Sequence, residues 1–105
     1  MRWYKHLYIG EHARKKKRRI IHAVRMHKFQ SGIYVLTQSV DGQNLMDIYP
    51  AMTLLQEHYR KQDLMVLGIA VGYFEALEVA RQIVDDMYQK TGDFSLPEFL
   101  GGENR

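Results

Sequence analysis

The chain contains no cysteine, and this absence excludes several kinds of function at once. A disulfide framework, thiolate catalysis and a zinc–thiolate site all need cysteine. Long apolar runs are also missing. The longest, residues 64–74, has about half of the roughly 20 residues that a membrane-spanning helix requires. No apolar segment follows a basic start, so we find no secretory signal and expect a cytoplasmic protein without a membrane span.

Acidic residues are scarce in the first part of the chain. Residues 1–30 carry ten Lys/Arg and a single acid, Glu11, whereas residues 31–105 carry five Lys/Arg and eleven acids. The net charge of +3 therefore hides two oppositely charged parts. Such a molecule attracts an anionic partner, or a second copy of itself, with one end.

Length and composition are those of one small globular domain. A chain of 105 residues has room for one core and not for two. Its 46% apolar and 26% charged residues are ordinary globular values. We expect a single domain over residues 1–100 and a flexible tail over residues 101–105.

Three strand–helix units can be recognised in the residue pattern. Runs rich in aromatic and branched residues, or nearly pure apolar runs, predict strands at residues 3–9, 33–38 and 64–70. Helical periodicity follows each of them, at residues 11–28, 45–59 and 73–90, with Gly92 as the stop after the last helix. This order predicts an α/β fold of three consecutive β-α units, with a mainly parallel three-stranded sheet packed against helices.

The middle helix contains a proline. Asn44 is its predicted N-cap, and its inward-facing residues are Leu45, Ile48, Met52, Leu55 and Tyr59. Pro50 lies among them, and proline inside a helix removes a hydrogen bond and kinks the helix. Either the helix bends at Pro50, or residues 45–49 form a separate turn and Pro50 opens the main helix.

A three-stranded sheet has two edges that other chains can join. Proteins usually cover or pair such edges. We therefore expect a homodimer, with a monomer whose C-terminal segment covers one edge as the alternative.

The first helix carries most of the positive charge, and it is the predicted binding surface. Its candidate contacts with an anionic partner are Arg14, Lys15, Arg18, Arg19 and Arg25. Such a stripe can bind the phosphates of nucleic acid or an acidic protein surface, and an anionic membrane surface is a third option. Residues 15–25 contain no aromatic side chain for base stacking, and a merely solvated cationic face also explains the pattern.

A second predicted site lies where the strands end. In an open parallel sheet, ligands bind beyond the carboxyl ends of the strands. The residues expected there are Gly10, Ser39, Asn44, Gly72 and Tyr73. Gly72 would let backbone N–H groups approach a phosphate or nucleotide-like anion. However, Glu75 places a negative charge in the first turn of the last helix, so a simple tight turn explains Gly72 equally well.

Residues for catalysis or metal binding are not apparent. No serine lies in a nucleophile elbow, and His22 and His27 are five residues apart, outside the helical spacing that aims two imidazoles at one ion. We predict no catalytic residues, no metal and no cofactor. The function expected is that of a non-catalytic interaction or regulatory domain, with anionic-ligand binding or an enzymatic site at the strand ends as the alternative.

Two stretches of the chain resemble a known group of proteins. The first comprises residues 7–11, Leu-Tyr-Ile-Gly-Glu, followed by Arg-Arg-Ile-Ile at residues 18–21. The second is the apolar run of residues 64–72 with Glu-Ala-Leu at residues 75–77. On these residues the chain is similar to a group of small uncharacterised bacterial α/β proteins. The resemblance implies a fold and no activity.

Overall fold

A computed structural model describes residues 1–28, 30–39 and 45–103. The strands are β1 (Arg2–Ile9), β2 (Ile33–Gln38), β3 (Met46–Pro50) and β4 (Met65–Val71). The helices are α1 (Lys17–Arg25), α2 (Glu57–Arg60), α3 (Tyr73–Thr91) and α4 (Leu96–Glu103). Two 3₁₀ segments, Arg14–Lys16 and Ala51–Leu55, precede α1 and α2.

The sheet is four-stranded and mixed, so the predicted mainly parallel, three-stranded sheet is wrong. The strand order is β1-β4-β2-β3. Only β1 and β4 are parallel, while β2 is antiparallel to both β4 and β3. The prediction of three consecutive β-α units fails at the second unit, because β2 is followed by another strand.

The residues predicted as the middle helix form β3, a 3₁₀ helix and the short helix α2 instead. Residues 46–50 pair with β2, from Met46 opposite Gln38 to Pro50 opposite Tyr34. Neither a bent helix nor a separate turn before Pro50 is therefore correct. Pro50 is tolerated because β3 is an edge strand, and it stands just before Ala51–Leu55. Asn44, the predicted N-cap, lies outside the described residues.

Helices cover both faces of the sheet, which gives two hydrophobic clusters. On one face, α3 and α4 pack against β-sheet residues that include Leu36 and Leu67. On the other face, α1 and the Ala51–Leu55 segment pack against the alternate residues, Val35 and Val66. The two inner strands, β4 and β2, are therefore buried on both sides.

The structure separates the two oppositely charged parts of the sequence across the sheet. Residues 14–28, which include α1, carry eight Lys/Arg and no acid. Residues 73–98, on the opposite face, carry six acids and two Lys/Arg. The domain is electrically polar, as the charge distribution along the sequence predicts, and α1 lies on its positive face.

The C-terminal segment packs on the domain. Leu96, Phe99 and Leu100 are buried in the same cluster as α3, while Phe94 is half exposed. Residues 101–103 form the last turn of α4, and the flexible tail stays a prediction because residues 104–105 are outside the described part. Within the described ranges, no helix has both the length and the apolar character that crossing a membrane requires.

Candidate functional site

Two helices begin where β1 and β4 end. Here 'this edge' means the end of the sheet formed by these strand termini, as distinct from the edge strands β1 and β3. Because these two strands are parallel, their carboxyl ends lie at the same edge. The chain leaves β1 at Gly10 and enters the 3₁₀ turn before α1, which packs on one face. It leaves β4 at Gly72 and enters α3, which packs on the other. Both predicted sites, the basic helix and the strand-end pocket, therefore have residues at this edge.

Six consecutive cations lie at the start of α1. We call residues 14–19 the basic segment; they occupy the 3₁₀ turn and the first residues of α1. All six side chains are exposed, and together they line one depression of about 480 Å³. Within the described part of the chain, none of them forms an ion pair. Four of the five predicted contact residues, Arg14, Lys15, Arg18 and Arg19, belong to this segment.

The position of the basic segment is electrostatically unfavourable for α1. A helix N-terminus carries partial positive charge from its free N–H groups, which acidic residues normally offset. The first turn of α1 holds no acid, and no side chain caps it. The side-chain charges therefore add to the helix dipole. This segment concentrates positive potential at the expense of helix stability.

Arg25, the fifth predicted contact residue, lies apart from the segment. It is in the last turn of α1, and its guanidinium carbon is 5.2 Å from the centre of the Trp3 ring. A cation over an aromatic face at this distance is a stabilising contact. Arg25 thus has a packing role within the domain.

The sheet topology separates the residues that were predicted to lie together at the strand ends. Gly10, Gly72 and Tyr73 line one cavity of about 530 Å³, which we call the edge cavity. Ser39 is not among its lining residues. Ser39 follows β2, which runs antiparallel to β4, so it lies at the opposite edge of the sheet. Asn44 falls outside the described residues.

The carboxylate of Glu75 binds backbone N–H groups at the edge cavity. One of its oxygens accepts the His12 N–H and lies 2.8 Å from His12 Nδ1, and the other accepts the Val71 N–H at 2.6 Å. The Glu75 side chain is only 10% exposed, so its charge is held against the domain and does not extend into solvent. These two N–H groups are therefore already occupied and do not serve a bound anion.

The pKa of Glu75 reflects these contacts. Burial raises the pKa of the carboxyl group, but the hydrogen bonds from Val71, His12 and Ala13 outweigh burial. The pKa therefore lies below its ordinary value of 4.5. Glu75 is ionised at neutral pH and is one of the carboxylates that line the edge cavity.

Gly10 allows Glu75 to lie where it does. A Cβ atom at position 10 would overlap the carboxyl group of Glu75. Sequence reasoning found Gly10 as the end of a strand but missed this contact. The two residues are 65 positions apart, and no local pattern links them.

An exposed aromatic side chain borders the same cavity. Phe74, in the first turn of α3, is 86% exposed, the highest value among the large apolar residues that are exposed. Its neighbour Tyr73 is half exposed and contacts the Tyr34 ring, with centroids 5.7 Å apart. No role for Phe74 was apparent from the sequence. The one available signal was an aromatic residue on the polar side of a helix start.

Comparison of the chain with protein-family models, with curated proteins and with solved structures gave no match. The resemblance to small bacterial α/β proteins therefore stays a hypothesis. Among the described residues, no three His, Asp or Glu side chains are grouped as a metal site requires.

Proposed function

We propose that this domain binds nucleic acid through the phosphate backbone, using the basic segment. The observation that carries the proposal is the set of six exposed cations around one depression, without an ion pair in the described part of the chain. Lysine and arginine side chains that neutralise phosphates release the counterions condensed on the nucleic acid, and this release drives binding. The interaction is non-catalytic, and a cytoplasmic location belongs to the same proposal.

The distribution of charge supports one orientation on the nucleic acid. The α3 and α4 face carries an excess of acids and repels phosphates, whereas the α1 face attracts them. The edge cavity is a poor alternative site for a free phosphate, since Glu75 already accepts the N–H groups of His12 and Val71. We therefore do not retain the small-anion alternative.

The test is a comparison of two charge-reversal variants. In the first, Lys15, Arg18 and Arg19 are all changed to Glu. In the control, the exposed residues Lys5, Lys28 and Arg60 are changed to Glu. Each reversal removes two charges, so both variants go from a net charge of +3 to −3. A difference in affinity between the two variants therefore reports the position of the charges and not the net charge.

Binding is measured by fluorescence anisotropy with a labelled 20-nucleotide strand at low salt. We expect the first variant to bind at least about tenfold more weakly than the control variant, because three phosphate contacts become repulsive. Equal weakening in both variants would contradict the proposal. Tight binding of polyglutamate by the unmodified protein, without binding of nucleic acid, would instead identify an acidic protein as the partner.

We also propose that the domain is a homodimer, as the edge argument suggests. Among the described residues, β1 and β3 each pair with a strand on one side only. The β1 edge exposes Arg2, Lys5 and His6 and breaks register with β4 between Trp3 and Tyr8, features that discourage pairing. Sedimentation velocity distinguishes the 12.4 kDa monomer from a species of twice that mass.

A further inference from the structure

Exposed aromatic rings and the basic segment start from the same edge of the sheet, although no aromatic residue lies within that segment. Phe74 and Tyr73 start α3, and Glu75 of the same turn accepts the His12 N–H. His12 and Arg14 are two residues apart, so their Cα atoms are separated by at most about 7 Å. The aromatic side and the basic side of this edge are thus joined by a very short stretch of chain.

From this juxtaposition we infer that the nucleic acid bound here is single-stranded, with a base stacked on Phe74 and the adjoining phosphates on the basic segment. This inference rests on the proposed function. Proteins that bind single strands without sequence preference combine a cationic track for the backbone with aromatic faces for the bases. Here α1 supplies the first and α3 the second.

Exposure and support make Phe74 suitable as a stacking surface. At 86% exposure its ring is open to a base without rearrangement of the domain. It contacts the Tyr73 ring edge-on at 6.5 Å, and Tyr73 in turn contacts Tyr34 of the sheet. The exposed ring is therefore backed by two others. Stacking tolerates all four bases, because every base has a π face.

The edge cavity, which Phe74 borders, has the size and chemistry to accept a base that is not stacked on its neighbours in the strand. Its volume of about 530 Å³ lies within the usual range of small-ligand pockets. Gln82 and Glu78 are among its lining residues, and Arg81 donates hydrogen bonds to the Glu78 carboxylate. Carboxylate and amide oxygens accept hydrogen bonds from the amino groups of bases. The same carboxylates repel phosphates, so the backbone lies on the basic segment and the base stacked on Phe74 faces the cavity that Phe74 borders.

A duplex fits this arrangement less well. Its bases are paired and stacked inside, so they reach Phe74 only after unpairing. The basic segment still attracts duplex phosphates. We therefore expect the duplex to bind through charge alone, and the single strand to bind through charge and stacking.

The experiment compares Phe74→Ala with Phe94→Ala on three labelled probes: a 20-nucleotide strand, its duplex, and an abasic strand of the same length. Phe94 is the matched control, since it is an exposed phenylalanine, 52% accessible, beyond the other end of α3. We expect Phe74→Ala to weaken single-strand binding by about five- to a hundredfold, the range measured for loss of one base–aromatic stack. Binding of the duplex and of the abasic strand should change by less than about twofold, and Phe74→Tyr should restore single-strand binding.

The outcomes distinguish this inference from the proposed function on which it rests. If Phe74→Ala binds the single strand as the unmodified protein does, while the reversal of Lys15, Arg18 and Arg19 abolishes binding, stacking is refuted and the phosphate contacts stand. Equal loss for all three probes also refutes stacking, and a preference of the unmodified protein for the duplex refutes a single-stranded ligand. If the charge-reversed variant binds every probe normally, the proposed function itself fails.

Discussion

The carboxylate of Glu75 joins the end of β1, the end of β4 and the start of α3. It accepts backbone N–H groups from His12 and Val71 and lies against Gly10, where any larger residue would displace it. A charged acceptor of N–H groups contributes more than a neutral one. At the scale of single residues, this contact fixes the geometry of the edge on which both proposed surfaces depend.

Replacement of Glu75 by Gln should destabilise the domain. The glutamine amide has one oxygen where the carboxylate has two, so one N–H of His12 or Val71 loses its acceptor. We expect a loss of about 1–3 kcal/mol in the free energy of unfolding at pH 7, measured with urea. Glu57→Gln is the control, because Glu57 forms an exposed ion pair with Lys61, and its loss should stay below about 0.5 kcal/mol.

The same substitution predicts a pH dependence. The folded-state pKa of Glu75 is lowered, so its contribution is complete above the unfolded-state pKa near 4.5. It is lost as the pH falls through the lower folded-state pKa. The difference in stability between the unmodified protein and Glu75→Gln should therefore shrink on acidification below 4.5. A difference that is constant down to pH 2 would contradict this role.

Sequence reasoning succeeded where a single element carries its own signal. The periodic apolar face of α3 predicted residues 73–90, and the helix is Tyr73–Thr91 with Gly92 as its C-cap. It failed where a structural feature depends on the strands that pair with an element and not on the element's own residues. The order of the units predicted a mainly parallel sheet. The apolar run of β4 could not correct this, because a strand covered by helices on both faces is apolar whatever the direction of its neighbours.

β3 shows how a short strand imitates a helix. Its residues Met46 and Ile48 pack towards one cluster and Tyr49 towards the other, the alternation of a strand. With only five residues, β3 is too short for alternation to outweigh the helical spacing of Ile48, Met52 and Leu55. Pro50 correctly indicated that this segment is not a regular helix. An edge strand is one of the few places in a sheet where proline is accommodated.

At the scale of elements, the cations at the start of α1 should favour binding of nucleic acid while lowering the stability of the domain. Changing Lys17 and Arg18 to Glu would place acids at the positive end of the helix dipole. We expect each change to stabilise the domain by about 0.3–1 kcal/mol in urea unfolding. Binding to nucleic acid should weaken in the same variants.

Arg25→Glu is the matched control for this effect. It makes the same change of charge at the opposite end of α1, where an acid is unfavourable, and it removes the contact with Trp3. Its stability should decrease. If Lys17→Glu and Arg18→Glu also destabilise the domain, the basic segment is not under electrostatic strain.

At the scale of the whole molecule, the sheet separates a cationic face from an acidic one. The charge counts alone predicted two oppositely charged parts, but only the topology places α1 and α3 on opposite faces. The same topology brings the starts of both helices to one edge. Residues about 60 positions apart in the sequence, Arg14 and Phe74, are thereby placed at one edge, and no local pattern could have predicted this.

The most direct test of the account is the salt dependence of binding by the unmodified protein. Association with the 20-nucleotide strand is measured by anisotropy from 50 to 300 mM NaCl. Three to six phosphate contacts on the basic segment predict that log K falls linearly with log salt, with a slope of about −2 to −4. No binding at low salt, or a slope near zero, would contradict phosphate recognition by this domain.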